Sequence, residues 1–430
     1  MGYFEDDEYA YQYDDYLMES SDGSCTASVL RQSAFNLVCL FAAAAFCFLV
    51  RNARCSKQRA FWYVIISHLL VYQFSSNFWG IFGFLTLATV TGLIMIKTNM
   101  RAHYVLVSQI ALIMLLQFTL GTEYMLSVRG IMMLHAMRVI SMAYEESHQM
   151  MDQQSTASMI EFFYFPPVMI MGPFLSPSVF VGFQFGDEDT DYFTKITSAM
   201  YWICASLIAL LVSGCYLDMI TPPNAFVENF IVAVSFRASH YFVCFLSQAL
   251  VTFLIFEEEV EVTNFAKIEW PRSVSSIVKN WNLPMHGFLH EYIFSAEVFS
   301  SACCNAFLTF LVSGLLHGYD PQILITLVTL AFIAFAETRF RKKLANQLSM
   351  CVESKKCFHC DHENDGLIAK CINLFFTVLA IYHLIFTGMP FTNEYAGVGY
   401  PVEHTLASYQ SHEYLSLYIS FFFLIASTLM

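Results

Sequence analysis

One amide and one imidazole stand out in the stretch from Trp281 to His317, WNLPMHGFLHEYIFSAEVFSSACCNAFLTFLVSGLLHG. From Phe299 to Leu316 no residue is charged, so a helix there crosses most of a bilayer and ends on His317. Gly318 and the turn-prone Tyr319–Asp320–Pro321 stop that helix, which leaves the imidazole near the membrane boundary. A neutral imidazole at such a place can take a proton from an incoming hydroxyl, or it can simply bond a carbonyl of a neighbouring helix. Asn282 lies 35 residues earlier, too far for one helix face, so the two side chains can meet only across a helix–helix interface. A carboxamide there can hold a reacting carbonyl. The chemistry these residue types would perform together is acyl transfer.

Other chemistries lack their residues. The chain has no Gly-x-Ser-x-Gly elbow, no phosphate-binding glycine loop and no dinucleotide fingerprint. None of the 13 histidines has an aspartate five positions on; HGFLHE comes nearest and ends in Glu291. A second constellation, Cys351, Cys357, His359, Cys360 and His362, has CxxC spacing with nearby histidines. It suits either a tetrahedral zinc site or a reduced, lipidated loop, and no metal is assigned to it.

The elements that must position Asn282 and His317 are membrane helices. The 430 residues are 57% hydrophobic and 13% charged, with mean hydropathy +0.53, against about 25% charged in soluble domains. Apolar runs separated by charge clusters imply an all-α, polytopic transmembrane bundle of about 9–12 spans. Its broken or re-entrant helices would centre on EFFYFPPVMIMGPFLSPS, Glu161 to Ser178, where four prolines and Gly172 interrupt apolar sequence. Arg129, Arg138 and Glu145 mark an amphipathic or protein-buried helix, and Arg237 and His240 in the run after Phe226 would face protein or a polar cavity. Arg237 either braces helices or meets substrate.

Three basic loops, at 51–59, 97–101 and 339–370, hold 13 of the 21 lysines and arginines. By the positive-inside rule they are cytosolic, which puts the N-terminus and His317 toward the lumen. Net charge is -14, and residues 5–22 supply eight of the acids, so residues 1–30 read as an acidic, disordered lumenal tail ahead of a membrane-embedded domain at 31–430. The 13 cysteines, many in apolar runs, form no disulfide framework in this reading.

The stretch resembles the membrane-bound O-acyltransferase family, whose Asn and His signature would fall on Asn282 and His317. The resemblance is sharpest to the branch that places palmitoleate on a serine of Wnt proteins. It rests on NWNLPM at 280–285, SGLLHG at 313–318, ETRFRKKLANQLSMCVESKKC at 337–357, NLFFTVLAIYHLIFTG at 373–388 and SFRASHYFVCFLSQA at 235–249. It implies a multi-pass protein of the endoplasmic reticulum membrane, palmitoleoyl-CoA as co-substrate with no tightly bound cofactor, and Wnt proteins as acceptors. His317 would be the general base and Asn282 its positioning partner, with Trp281, Leu283, Pro284, Ser235 and Arg237 contacting substrate. The alternatives are a lysophospholipid acyltransferase of the same superfamily and a non-catalytic escort for acylated Wnt.

Overall fold

The computed structural model describes residues 22–430 apart from 52–54, 76–77, 151, 186–190, 218, 255–259, 297, 357–365 and 396, and its regular structure is helical throughout. Among the described residues, eight helices are long and apolar enough to cross a membrane. They are α1 (Asp22–Val50), α3 (Phe78–Lys97), α4 (Ala102–Leu120), α5 (Thr122–Ser147), α8 (Tyr192–Leu211, continued by a π turn at Val212–Tyr216), α9 (Ala225–Leu254), α14 (Pro321–Leu348) and α15 (Leu367–Gly388). The pair α16 (Val402–Ser411) and α17 (Leu415–Leu429), bent by 75°, is a broken span or a re-entrant loop and makes a ninth crossing if it is one span. Two further helices, α2 (Ser56–Phe74) and α13 (Ala302–Leu316), fall below that criterion, α13 because it has only 15 residues. With the eight they make ten, within the expected range of 9–12. Between these lie the short helices α6 (Thr156–Phe163), α7 (Pro177–Phe185), α10 (Phe265–Glu269), α11 (Val274–Trp281) and α12 (Leu283–Tyr292).

Outward faces carry large apolar side chains, among them Leu49, Trp79, Phe118 and Phe193, as helices surrounded by lipid require. Polar side chains turn inward. In α5, His135, Arg138 and Glu145 are all buried; His135 Nε2 bonds the Thr89 hydroxyl at 3.0 Å and Tyr292 donates to Glu145 at 2.7 Å. Arg138 explains how the proline-rich break is tolerated. The carbonyl of Phe163 ends α6, and the donors three and four residues on belong to Pro166 and Pro167, which have no N–H. Arg138 replaces them, donating to Phe163 O at 2.9 Å and to Val168 O at 2.7 Å. The chain then doubles back so tightly that a Cβ on Gly172 would lie 2.1 Å from the Val168 Cα. The broken stretch is thus interior to the protein, with Phe162, Phe163, Phe165, Val168 and Phe174 buried.

Two features differ from the sequence reading. α1 begins at Asp22, so the last residues of the segment taken as tail are helical; residues 1–21 lie outside the described part. Cys25 and Cys215 form a disulfide that ties the start of α1 to the π turn after α8. A separation of 190 residues hides such a pair among 13 cysteines, since only folding brings those two helix ends together. The bond sits at the end of α1 opposite Arg51, and disulfides persist in oxidising compartments. At the basic ends, Lys97 donates to Gln154 O at 3.0 Å and Arg59 pairs with Glu161 at 3.1 Å, so α2, α3 and α6 meet there.

Candidate active site

The site is built on α9. Its residues Arg237, His240, Tyr241, Cys244 and Gln248 recur every three or four positions and so share one face. Each reaches the segment that leads to Asn282. The Arg237 guanidinium pairs with Glu269 at the end of α10 at 3.0 Å and also donates to Ala233 O. Tyr241 donates to the same carboxylate at 2.6 Å. Gln248 donates to Val260 O at 2.9 Å and accepts from Val262 N at 2.8 Å. The 262–264 strip then lies along the helix break: Leu283 N donates to Val262 O, and Asn264 N donates to Asn280 O.

The break itself is encoded by Asn282 and Pro284. Pro284 occupies the first turn of α12, where a missing N–H costs nothing, and Asn282 caps that turn through Oδ1, which accepts from Met285 N at 3.0 Å. With Oδ1 so engaged, the carboxamide nitrogen is the half that remains to meet a ligand, and it has no protein acceptor among the described residues. A donor is what an acyl carbonyl needs. The start of α11 is secured from α14. Ser273 caps it, Val274 N donates to Glu337 at 2.8 Å, and the buried Glu337–Arg341 pair at 2.9 Å extends to Arg272 O and Val352 O.

His317 is placed by a different logic. It follows α13 directly, and Gly318 at φ +84° ends the helix. That glycine is required twice, by its backbone and because a Cβ would meet Met125 at 2.7 Å and Gln117 at 2.8 Å. Gln117 brackets Tyr319, accepting its N–H at 2.6 Å and donating to its carbonyl at 2.7 Å. Arg129 pairs with Asp320 at 3.1 Å, and Asp320 caps α14. The backbone that follows the imidazole is therefore held from α4 and α5. The ring itself is partly exposed, and among the described residues neither nitrogen has a hydrogen-bond partner.

The structure puts Asn282 and His317 on α12 and the end of α13, helices that pack against each other, but no hydrogen bond joins the two side chains. Trp281 stacks on His240 (4.1 Å, 14°) and lies near-parallel to Phe236 at 6.0 Å (24°). Leu283 and Pro284 form the first turn of α12. Ser235 donates to Ser213 O of the π turn at 3.3 Å, and Arg237 is occupied by Glu269, which is the bracing arrangement. Cys351 is buried, and its carbonyl accepts from Arg272 and Asn373; Cys357, His359, Cys360 and His362 lie outside the described residues. Among the described residues no group of His, Cys, Asp or Glu could hold a metal. Sequence reasoning passed over Gln117, Gln248, Glu269 and the Glu337–Arg341 pair. Their only sequence signal is a polar residue within or beside an apolar run, whose partner is set by folding.

Residues 10–350, a span containing both Asn282 and His317, match the model of the membrane-bound O-acyltransferase family. The chain belongs to the membrane-bound O-acyltransferase family. Among its relatives, the protein-serine O-palmitoleoyltransferase porcupine of Caenorhabditis briggsae is 38% identical over 321 residues, covering 71% of each chain. The enzyme of the same name from Drosophila melanogaster is 28% identical over 330 residues, 68% of this chain and 62% of the fly protein. That of Homo sapiens is 28% identical over 332 residues, 68% of this chain and 71% of the human one. For a membrane-bound O-acyltransferase the two unengaged groups have complementary abilities: the imidazole can accept a proton and the carboxamide nitrogen can donate a hydrogen bond.

Proposed function

We propose that this membrane-bound O-acyltransferase moves a palmitoleoyl group from coenzyme A to a serine hydroxyl of Wnt proteins in the endoplasmic reticulum membrane. The observation that carries the reading is the state of His317, an imidazole with both nitrogens unengaged at the end of a membrane helix whose flanking backbone is fixed. Its relatives named as palmitoleoyltransferases supply the acyl group and the acceptor residue.

In the reaction His317 takes the serine proton as the hydroxyl oxygen attacks the thioester carbon. Asn282 Nδ2 donates to the carbonyl oxygen as negative charge develops on it. The C–S bond then breaks, coenzyme A leaves as the thiol, and the proton held by the imidazole passes to the departing sulfur. No acyl-enzyme is needed, because holding both substrates in one site supplies the proximity. The basic-loop orientation brings acyl-CoA from the cytosolic side and the peptide from the lumen. Trp281, Leu283 and Pro284 line the approach beside Asn282, with Trp281 packing against the acyl chain.

The test uses the purified full chain in detergent with palmitoleoyl-CoA and three acceptors: a Wnt hairpin peptide, the same peptide with its serine replaced by alanine, and a lysophospholipid. Acylation of the serine peptide alone is expected. Transfer to the lysophospholipid in preference would make the protein a lipid acyltransferase, and transfer to neither would favour an escort. Serine acylation undiminished in His317→Ala would remove the assigned base.

A further inference from the structure

The helix break at Asn282 creates a backbone problem that one imidazole does most to solve. In an unbroken helix the carbonyl of Trp281 would accept from the N–H of Met285. That N–H is taken by Asn282 Oδ1 instead, and Asn282 is extended at φ -146°, ψ 94°. The Trp281 carbonyl is left without a helical partner in the protein interior, where an unsatisfied acceptor is costly. His240 Nε2 reaches it at 2.9 Å. A carbonyl only accepts, so Nε2 carries the proton; the Cys244 sulfur, 3.2 Å from the same nitrogen, makes a longer second contact, its thiol donating to the same carbonyl at 3.9 Å. The same ring lies flat on the Trp281 indole, with centroids 4.1 Å apart and planes 14° apart. The far face of the column continues through Phe236 to Phe391, stacked at 4.0 Å.

Two contacts, one polar and one stacking, therefore bear on the residue immediately before Asn282, and both come from one imidazole in the middle of α9. Nothing in the fold requires a histidine there for packing alone, since a phenyl ring would stack equally well. The hydrogen bond is what a histidine adds. We propose that His240 is a positioning residue for Asn282: by donating to the Trp281 carbonyl and stacking on the indole, it sets the direction in which the Asn282 carboxamide faces the reacting carbonyl. The assignment rests on the reading of Asn282 given above, and His240 itself touches no reacting atom in it.

The full chain is assayed with palmitoleoyl-CoA and the serine hairpin peptide under single-turnover and steady-state conditions. His240→Phe keeps the stack and removes the donor; His240→Gln restores a donor without the ring. The Phe variant is expected to lose about ten- to a hundredfold in kcat, the scale of a misplaced reacting group, with the donor KM within about threefold of wild type, as loss of a transition-state contact requires. The Gln variant should recover most of that loss. In an Asn282→Ala background, His240→Phe should add nothing further, because its effect passes through Asn282. A wild-type kcat in His240→Phe overturns the proposal, as does the same fold-loss with and without Asn282. Should the Phe variant fail to fold, His240→Met, also without a donor, must show the same loss relative to His240→Gln. Full activity in Asn282→Ala alone would instead overturn the role given to Asn282, a separate result.

Discussion

The two ends of the candidate site are built in opposite ways. Around Asn282 nearly every polar group is spoken for: Trp281 O by His240, Asn282 Oδ1 by Met285 N, Asn280 O by Asn264, Val262 by Gln248 and Leu283. Around His317 the backbone is pinned by Gln117 and the Arg129–Asp320 pair, yet the ring is left without a protein partner among the described residues. The contrast is the one that the proposed roles of the two groups call for. A hydrogen-bond donor that stabilises developing charge works best when it cannot reorient. A base must surrender and regain a proton, so a permanent partner on its nitrogen would compete with the substrate.

The largest test of this contrast is His317→Ala. Transfer should fall by about 10²- to 10⁴-fold, while unfolding in detergent shifts by less than about 1 kcal/mol, since no hydrogen bond is lost. A large loss of stability would mean that the ring is a structural member after all. On the Asn282 side the order reverses, with stability the first thing to go. Arg341→Ala leaves Glu337 buried without its cation and frees Arg272 O and Val352 O, and should cost about 3–5 kcal/mol of unfolding free energy. A denaturant series compared with wild type measures it; a loss under about 1 kcal/mol would break the comparison. A smaller effect is expected of Gln248→Leu, which orphans Val260 O and Val262 N and should cost about 1–3 kcal/mol. Hydrogen exchange at Val262 and Leu283 would sharpen this result, since both amides should lose protection together; protection retained at both would show that the strip is held by other means.

The scaffold around Asn282 was only half visible beforehand. Arg237 and His240 draw notice because charge and imidazole are out of place in an apolar run, and their spacing already puts them on neighbouring turns. Their targets do not, because Glu269 and the Trp281 carbonyl lie 32 and 41 residues away across loops of no fixed geometry. Arg237 illustrates the limit. Substrate contact and bracing are equal from composition, and the ion pair with Glu269 is visible only once α10 is folded against α9. Gln117 and Gln248 are quieter still, being single amides in apolar helices, yet each clamps both polar groups of a distant backbone segment.

By itself the sequence determined the class of the molecule, the break in the proline-rich stretch from Glu161 to Ser178 and the helix end at His317–Gly318. Those follow from local rules: hydropathy along one helix, the missing N–H of proline, the positive φ open to glycine. Only the tertiary structure decided that Cys25 finds Cys215, that Arg138 supplies the donors Pro166 and Pro167 lack, and that α9 holds the ground on which Asn282 stands. Each of these satisfies a backbone or side-chain group left over by local structure. In a medium without water such groups must find partners within the protein, and which partner is near depends on how the helices pack.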